Sequence, residues 1–266
     1  MAHIHVAGEI HADAGAGPQW LSAPEDLNAL DPGLWSRTVH RGDDGALVTG
    51  GVSVVRAAEE LGTPVYLLDE EDFRARARAF RAEFDGWRVF YAGKAFLCRR
   101  IVRWAMEEGL WLDVCSGGEL AVALDAGADP AHIGFHGNNK TVEELATALE
   151  HGVGRIIVDS LDEIARIETL CAEHDWRAHV MVRVNPGVEA HTHEYIATAH
   201  EDQKFGFSIA TGAAFEAAKR LLAAPGVDLL GLHSHIGSQI FDTAGHEVAA
   251  PENLRGSLYI PSAPSI

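Results

Sequence analysis

Short apolar runs recur along the chain, centred near Val89, Leu112, Ile133, Ile156, Val180 and Leu230. The first four spacings are 23, 21, 23 and 24 residues, and the last is 50. Between the runs lie amphipathic segments with helix-start signals. Thr141-Val-Glu-Glu144 and Ser160-Leu-Asp-Glu163 both read as capping boxes, with a hydroxyl at the N-cap and a glutamate three residues later. Gly109 and Gly152 fall where helices should end. Buried strands alternating with helices at this spacing predict βαβ units and a parallel sheet. A doubly wound open sheet would satisfy the same rhythm, but no GxGxxG follows the first strand. The expected fold class is therefore α/β, a (β/α)8 TIM-type barrel.

Outside this rhythm the pattern is less regular. Residues from Met1 to about Pro32 are rich in Gly, Ala, His and Asp without an apolar period, which predicts a mobile arm over residues 1–33. Val54 to Leu61 reads as a helix stopped by Gly62, and Pro64 to Leu68 as a strand-like run. Asp69 should cap a helix carrying Phe73, Phe80 and Phe84 on roughly one face. The 50-residue gap holds a polar insertion, Asn185 to Gln203, then a helix from about Thr211 to Ala224. An insertion of that length in a compact domain is usually functional or mobile.

Composition narrows the classes. The 266 residues suit one barrel of about 250 residues. With 39 acidic and 21 basic side chains the formal charge is −18, which opposes nucleic-acid binding. No run approaches the roughly 20 apolar residues of a membrane helix, and the N-terminus lacks the order of a secretory signal. Three cysteines, with no CxxC, fit a reducing compartment, so a cytoplasmic location is expected.

In a parallel barrel, chemistry gathers where strands end. The six ends carry, in order, Lys94; Asp113 and Ser116; His136, Asn138 and Asn139; Asp159 and Ser160; Arg183 and Asn185; and His233, His235 and Ser238. Six polar ends in succession predict a bound ligand at that face. Lys94, between apolar neighbours, reads as a buried amine with a depressed pKa, poised for a Schiff base, or as a lysine snorkelling to the rim. His233 and His235 share a strand face and suit a hydrogen-bonded pair, a metal or an imidazole stacked on a planar cofactor; Gly237-Ser238 just beyond favours the last, as a phosphate-holding turn. His191 and His193 read as solvated or substrate-facing. Arg183 could hold a carboxylate or cofactor oxygen, or pair with Asp113 inside the barrel. Cys115 should pack rather than react, and Gly117-Gly118 should serve a tight βα turn.

YAGKAF (Tyr91–Phe96), LDVCSGGEL (Leu112–Leu120), HGNNK (His136–Lys140) and HSHIGSQIFD (His233–Asp242), in this order, resemble the diaminopimelate decarboxylase family. These are pyridoxal-phosphate (PLP) enzymes of the alanine-racemase-like barrel type. Val188 to Gly206 also resembles that family rather than its ornithine- or arginine-cleaving relatives. The resemblance covers roughly Leu34 to Ala250. It implies that Lys94 is the Schiff-base lysine and catalytic residue, that His235 stacks on the pyridine ring, and that Gly237 and Ser238 hold the phosphate. Asp113, His136 and Arg183 would line the pocket, and no metal is implied. The implied reaction releases carbon dioxide from meso-diaminopimelate and yields L-lysine, and the implied assembly is a homodimer.

Beside that family's eight strands this sequence supplies six, and residues 251–266, PENLRGSLYIPSAPSI, do not resemble it. The family's glycine-rich phosphate loop, the acidic partner of the pyridine nitrogen and the second, β-rich domain are not recognisable. The expectation is thus an incomplete barrel over residues 34–250, with a non-family tail, marginally folded and essentially inactive alone. Rival readings are a single-domain PLP carrier, a metal-dependent hydrolase using His233 and His235, and a fragment that docks on an intact copy.

Overall fold

The computed structural model describes residues 26, 28–185 and 205–235. Gly237, Ser238, His191, His193, most of the polar insertion and the 251–266 tail lie outside the described residues, as does most of the expected N-terminal arm. The chain divides into two compact units, the first ending at Phe73 and the second starting at Arg74.

The first unit contains a small antiparallel sheet that the apolar pattern did not predict. Its strands are β1 (His40–Arg41), β2 (Leu47–Thr49) and β3 (Val52–Ser53), too short to show alternation. Helix α1 spans Val54–Leu61 and stops at Gly62, whose φ of 80° is open to glycine. Residues 65–69 form no strand, contrary to the expectation from Pro64 to Leu68; no described strand bonds to them, and Tyr66 is 98% exposed. Asp69 caps α2 (Glu70–Glu83), accepting from the Asp72 N–H at 3.1 Å and from the hydroxyls of Ser36 and Thr38. Of the three phenylalanines expected on one face of this helix, Phe80 and Phe84 are exposed, and Phe84 lies just past its end. The buried positions of that helix are Ala75 and Ala77.

The second unit is built on a parallel sheet. Its strands are β4 (Phe90–Ala92), β5 (Trp111–Val114), β6 (Ile133–Phe135), β7 (Arg155–Val158), β8 (Ala178–Asn185) and, beyond a short β9 (Phe207–Ser208), β10 (Val227–His233). The order is β4-β5-β6-β7-β8-β10, and β9 pairs with the end of β8. Each main strand lies beside its predecessor without reversal. That is the winding of a barrel wall rather than of a doubly wound sheet, which reverses at a switch point. Among the described residues β4 and β10 do not pair, so the arc is not joined into a ring there. Helices α3 (Arg99–Glu107), α4 (Gly117–Asp125), α5 (Val142–Glu150), α6 (Leu161–His174) and α7 (Ala213–Ala223) connect the strands. No described helix is long and apolar enough to cross a membrane.

Sequence explains burial along the arc. All of β6 and the Ile156–Val158 stretch of β7 are buried, as expected of parallel strands covered on both faces. Ile133, Phe135, Ile156, Ile164, Ile167, Leu145 and Leu120 are fully enclosed between strands and helices. At the ends of the arc, β4 and β10 are only half-buried, and Leu230 is 48% exposed.

Candidate functional site

The site lies at the C-terminal ends of the strands. At the end of β4, Gly93 is buried, and a Cβ there would stand 2.8 Å from the Asp113 carbonyl. Only glycine allows that approach, and the turn it makes sends the next residue outward. Lys94 is accordingly exposed in a 3-10 turn, two residues past the strand, as a lysine at the rim would be rather than a buried amine. The Tyr91 hydroxyl donates to the Phe96 carbonyl at 2.6 Å and braces the turn.

Asp113 of β5 meets His136, just past β6, with Nε2 3.1 Å from Oδ1. Gly134 makes room for the pair, since a Cβ there would lie 2.8 Å from Asp113 Oδ1. The His136 ring stands edge-on to His233, with centroids 4.9 Å apart. His233 Nδ1 is buried with no hydrogen-bond partner among the described residues. Burial, with His136, Arg183 and His235 close by, lowers the His233 pKa to about 3. His235 falls to about 4, through burial first and then the charges of Arg183 and Lys94. Both imidazoles are thus neutral at pH 7. The same couplings place Lys94, Arg183, His136 and Asp113 in one electrostatic neighbourhood around His235.

Arg183 of β8 does not pair with Asp113. Its Nη1 lies 3.6 Å from Asp159 Oδ2, and its guanidinium covers the Phe205 ring at 4.5 Å. Asp113 is turned toward His136 on the other side of β6, which leaves Asp159, after β7, as the nearer anion. Burial lowers the Arg183 pKa and Asp159 opposes that shift. Asp159 also accepts from the Gly206 N–H, fixing the chain where it returns to β9.

Two further expectations need correction. Cys115 is exposed rather than packed; desolvation, then the charges of Glu119 and Asp113, push its thiol above the usual range. Gly117-Gly118 is the first turn of α4, capped by Ser116, rather than a tight βα turn. A Cβ at Gly117 would lie 2.9 Å from Glu144 Cγ, so small size is what that position requires. Sequence reasoning missed Gly134 and the second partners of the Glu144 and Glu163 carboxylates, the Gly117 N–H and Lys140. The capping boxes were the available signal for the two carboxylates. Thr141 and Glu144 form a full box, whereas Glu163 turns its carboxylate to the Asp159 N–H and Lys140 instead of back to Ser160.

Among the described residues no three His, Cys, Asp or Glu side chains gather as a metal-holding group. Consecutively wound parallel strands, an exposed amine, neutral imidazoles and a buried guanidinium define an α/β domain suited to a planar, polar carbonyl ligand. The model of the pyridoxal-dependent decarboxylases, pyridoxal binding domain, matches residues 70–256, and the chain belongs to that family. It is 51% identical over 252 residues to the diaminopimelate decarboxylase of Mycobacterium leprae (strain TN), covering 93% of this chain and 53% of that protein. The crystal structure of diaminopimelate decarboxylase from M. jannaschi superposes with a TM-score of 0.74 at 31% identity, covering 83% of this chain and 52% of that one. The Helicobacter pylori enzyme, crystallised with L-lysine, gives a TM-score of 0.71 at 28% identity, covering 77% and 52%. The chain spans about half the length of the curated relatives it matches.

The residues present fit the family's cofactor, pyridoxal phosphate. Lys94 offers a solvent-accessible amine for its aldehyde, His235 is a neutral flat ring close to it, and His233 is a second neutral ring close to His235. His233 Nδ1 is a buried nitrogen still open to a partner among the described residues.

Proposed function

We propose that this chain forms the cofactor-binding part of a diaminopimelate decarboxylase, acting on meso-2,6-diaminopimelate to give L-lysine and carbon dioxide. The observation that carries the reading is that exposed Lys94 and buried Arg183, with His136 and Asp113, all lie close enough to His235 at the strand ends to act on its charge. When bound, pyridoxal phosphate supplies an electron-accepting ring for the pair left as carbon dioxide departs. Lys94 is the amine that would hold the cofactor by its aldehyde. His235, uncharged, presents a ring face without competing for protons at neutral pH. Asp113 holds the His136 imidazole by its Nε2, and Arg183, backed by Asp159, keeps a positive charge at the pocket. Gly237 and Ser238 are proposed for the phosphate. A cytoplasmic homodimer is the state we propose, with free thiols at Cys98, Cys115 and Cys171 as support for a reducing compartment.

Borohydride reduction with PLP, followed by peptide mapping, tests the cofactor assignment. Pyridoxyl label is expected on Lys94; label spread over other lysines with Lys94 untouched refutes it. For the substrate, the chain joined to the C-terminal half of the Mycobacterium leprae relative should release carbon dioxide from meso-diaminopimelate. A preference for ornithine or arginine in that chimera would overturn the narrower claim.

A further inference from the structure

Lys140, four residues past His136, is 3% exposed. Its ammonium donates to the Gly137 carbonyl at 2.8 Å, the Ile157 carbonyl at 2.7 Å and Glu163 Oε1 at 2.7 Å. An ammonium has three donors, and all are used. Glu163, equally enclosed, accepts from the Asp159 N–H with its other oxygen. Removing both charges from water is costly, and apolar residues of similar volume commonly fill such a place without loss of stability. The pair therefore does something that packing alone does not.

What it does is visible in the acceptors. Gly137 follows His136 directly, and Ile157 lies in the neighbouring strand β7. The ammonium thus joins the turn that carries His136 to the next strand of the arc. The turn is constrained from the other side as well. Gly137 has a φ of +117°, and a Cβ there would stand 3.1 Å from the Cys115 carbonyl. The His136 ring itself is committed to Asp113 and edge-on to His233. We propose that Lys140 is a positioning residue: by binding the Gly137 and Ile157 carbonyls, with Glu163 holding it there, it sets where the His136 ring meets Asp113 and His233. The role in cofactor binding rests on the pyridoxal reading, whereas the ring geometry is open to test without any ligand.

The test compares the full chain with Lys140→Met, the double variant Lys140→Met/Glu163→Leu, and a control, Arg220→Met/Glu168→Leu, which removes an ion pair between α7 and α6. The single variant leaves a lone buried carboxylate and can fail to fold; the double variant removes both charges and carries the test. The first readout is the through-space NMR cross-peak between the His136 and His233 rings in ligand-free protein. It should drop at least threefold in the double variant, at a melting temperature near that of the parent, and stay unchanged in the control. The second readout is PLP affinity by absorbance, expected to weaken about tenfold in the double variant only. A double variant that keeps the cross-peak at parental intensity makes Lys140 merely structural and overturns the proposal. A parent chain that shows the cross-peak yet binds no PLP counts against the pyridoxal reading alone, and the cross-peak comparison still decides the role of Lys140.

Discussion

Glu144 accepts a hydrogen bond from the Gly117 N–H at 2.6 Å, so the start of α5 is fastened to the start of α4, 27 residues earlier. Its other oxygen accepts from the Thr141 N–H at 2.9 Å, closing its own helix. The Thr141 N–H, ahead of desolvation and the Gly117 N–H, dominates a net lowering of the Glu144 pKa. Glu144→Ala removes both acceptors and should cost about 1–2 kcal/mol, at the upper end for a helix cap. Glu144→Gln keeps an acceptor and should cost less. Urea unfolding of the two variants measures the difference; equal loss in both would point to the charge rather than the bonds.

Acid should destabilise the second unit before its carboxylates titrate fully. His233 and His235 have folded pKa values of about 3 and about 4, below the ordinary 6.5. Between those limits the unfolded chain binds more protons, so stability falls as pH drops from about 6.5 toward 4. The slope is at most about 1.4 kcal/mol per pH unit for each imidazole. Chemical denaturation at several pH values measures it, and His233→Asn should flatten the curve. An unchanged slope in that variant contradicts the assignment to His233.

Gly154 donates its N–H to the Pro130 carbonyl at 2.9 Å, and its α-carbon faces Ala131. A Cβ at this position would fall inside the Ala131 carbonyl group, which is backbone and cannot swing aside. Gly154→Ala should therefore cost about 1–3 kcal/mol or more through overpacking. Gly127→Ala gives a contrast, since nothing lies within 4 Å of its Cβ position and only its φ of +88° is penalised. Thermal melts of the two variants should rank Gly154→Ala as the more damaging.

Arg183 and Asp159 form a buried pair whose partners are not equally served. Arg183→Met leaves the Asp159 carboxylate, 7% exposed, with the Gly206 N–H but without the guanidinium. The expected loss is about 3–5 kcal/mol. Adding Asp159→Asn should recover part of it, because the stranded charge is then gone. Denaturant midpoints of the single and double variants check this; a double variant worse than the single would show that the pair's charges are not what matters.

Most of the second unit was legible because burial imposes a readable rhythm. Strands enclosed on both faces, such as Ile133–Phe135, must be continuous apolar runs, and hydroxyl-x-x-Glu patterns mark the helix starts at Thr141 and Ser160. The strand ends follow from the same rhythm, which is why Asp113, His136, Arg183 and His235 could be nominated. Pairings were not legible. Whether Arg183 meets Asp113 or Asp159 depends on register and on which side of β6 each carboxylate turns, and a one-dimensional pattern carries neither. Of the two readings of Lys94, a buried amine or a lysine at the rim, exposure favours the second, for a local reason. Apolar neighbours signal burial of a strand, but Gly93 ends the strand and reverses the direction of the next side chain. Pro64 to Leu68 shows the converse, an apolar run with strand-like composition and no bonding strand beside it among the described residues.

The capping glutamates have a consequence for where an anion can bind. Helix starts ordinarily attract phosphate, because their N–H groups are unsatisfied and the helix dipole is positive there. At α4, α5 and α6 a carboxylate already sits beside the helix start. Glu119 holds the Cys115 N–H, Glu144 holds the Gly117 and Thr141 N–H groups, and Glu163 holds the Asp159 N–H. A phosphate approaching any of the three would lie against a carboxylate's charge. The side chains that stitch the loops in the middle of the arc together thus also set negative charge at its helix starts, which disfavours a phosphate there.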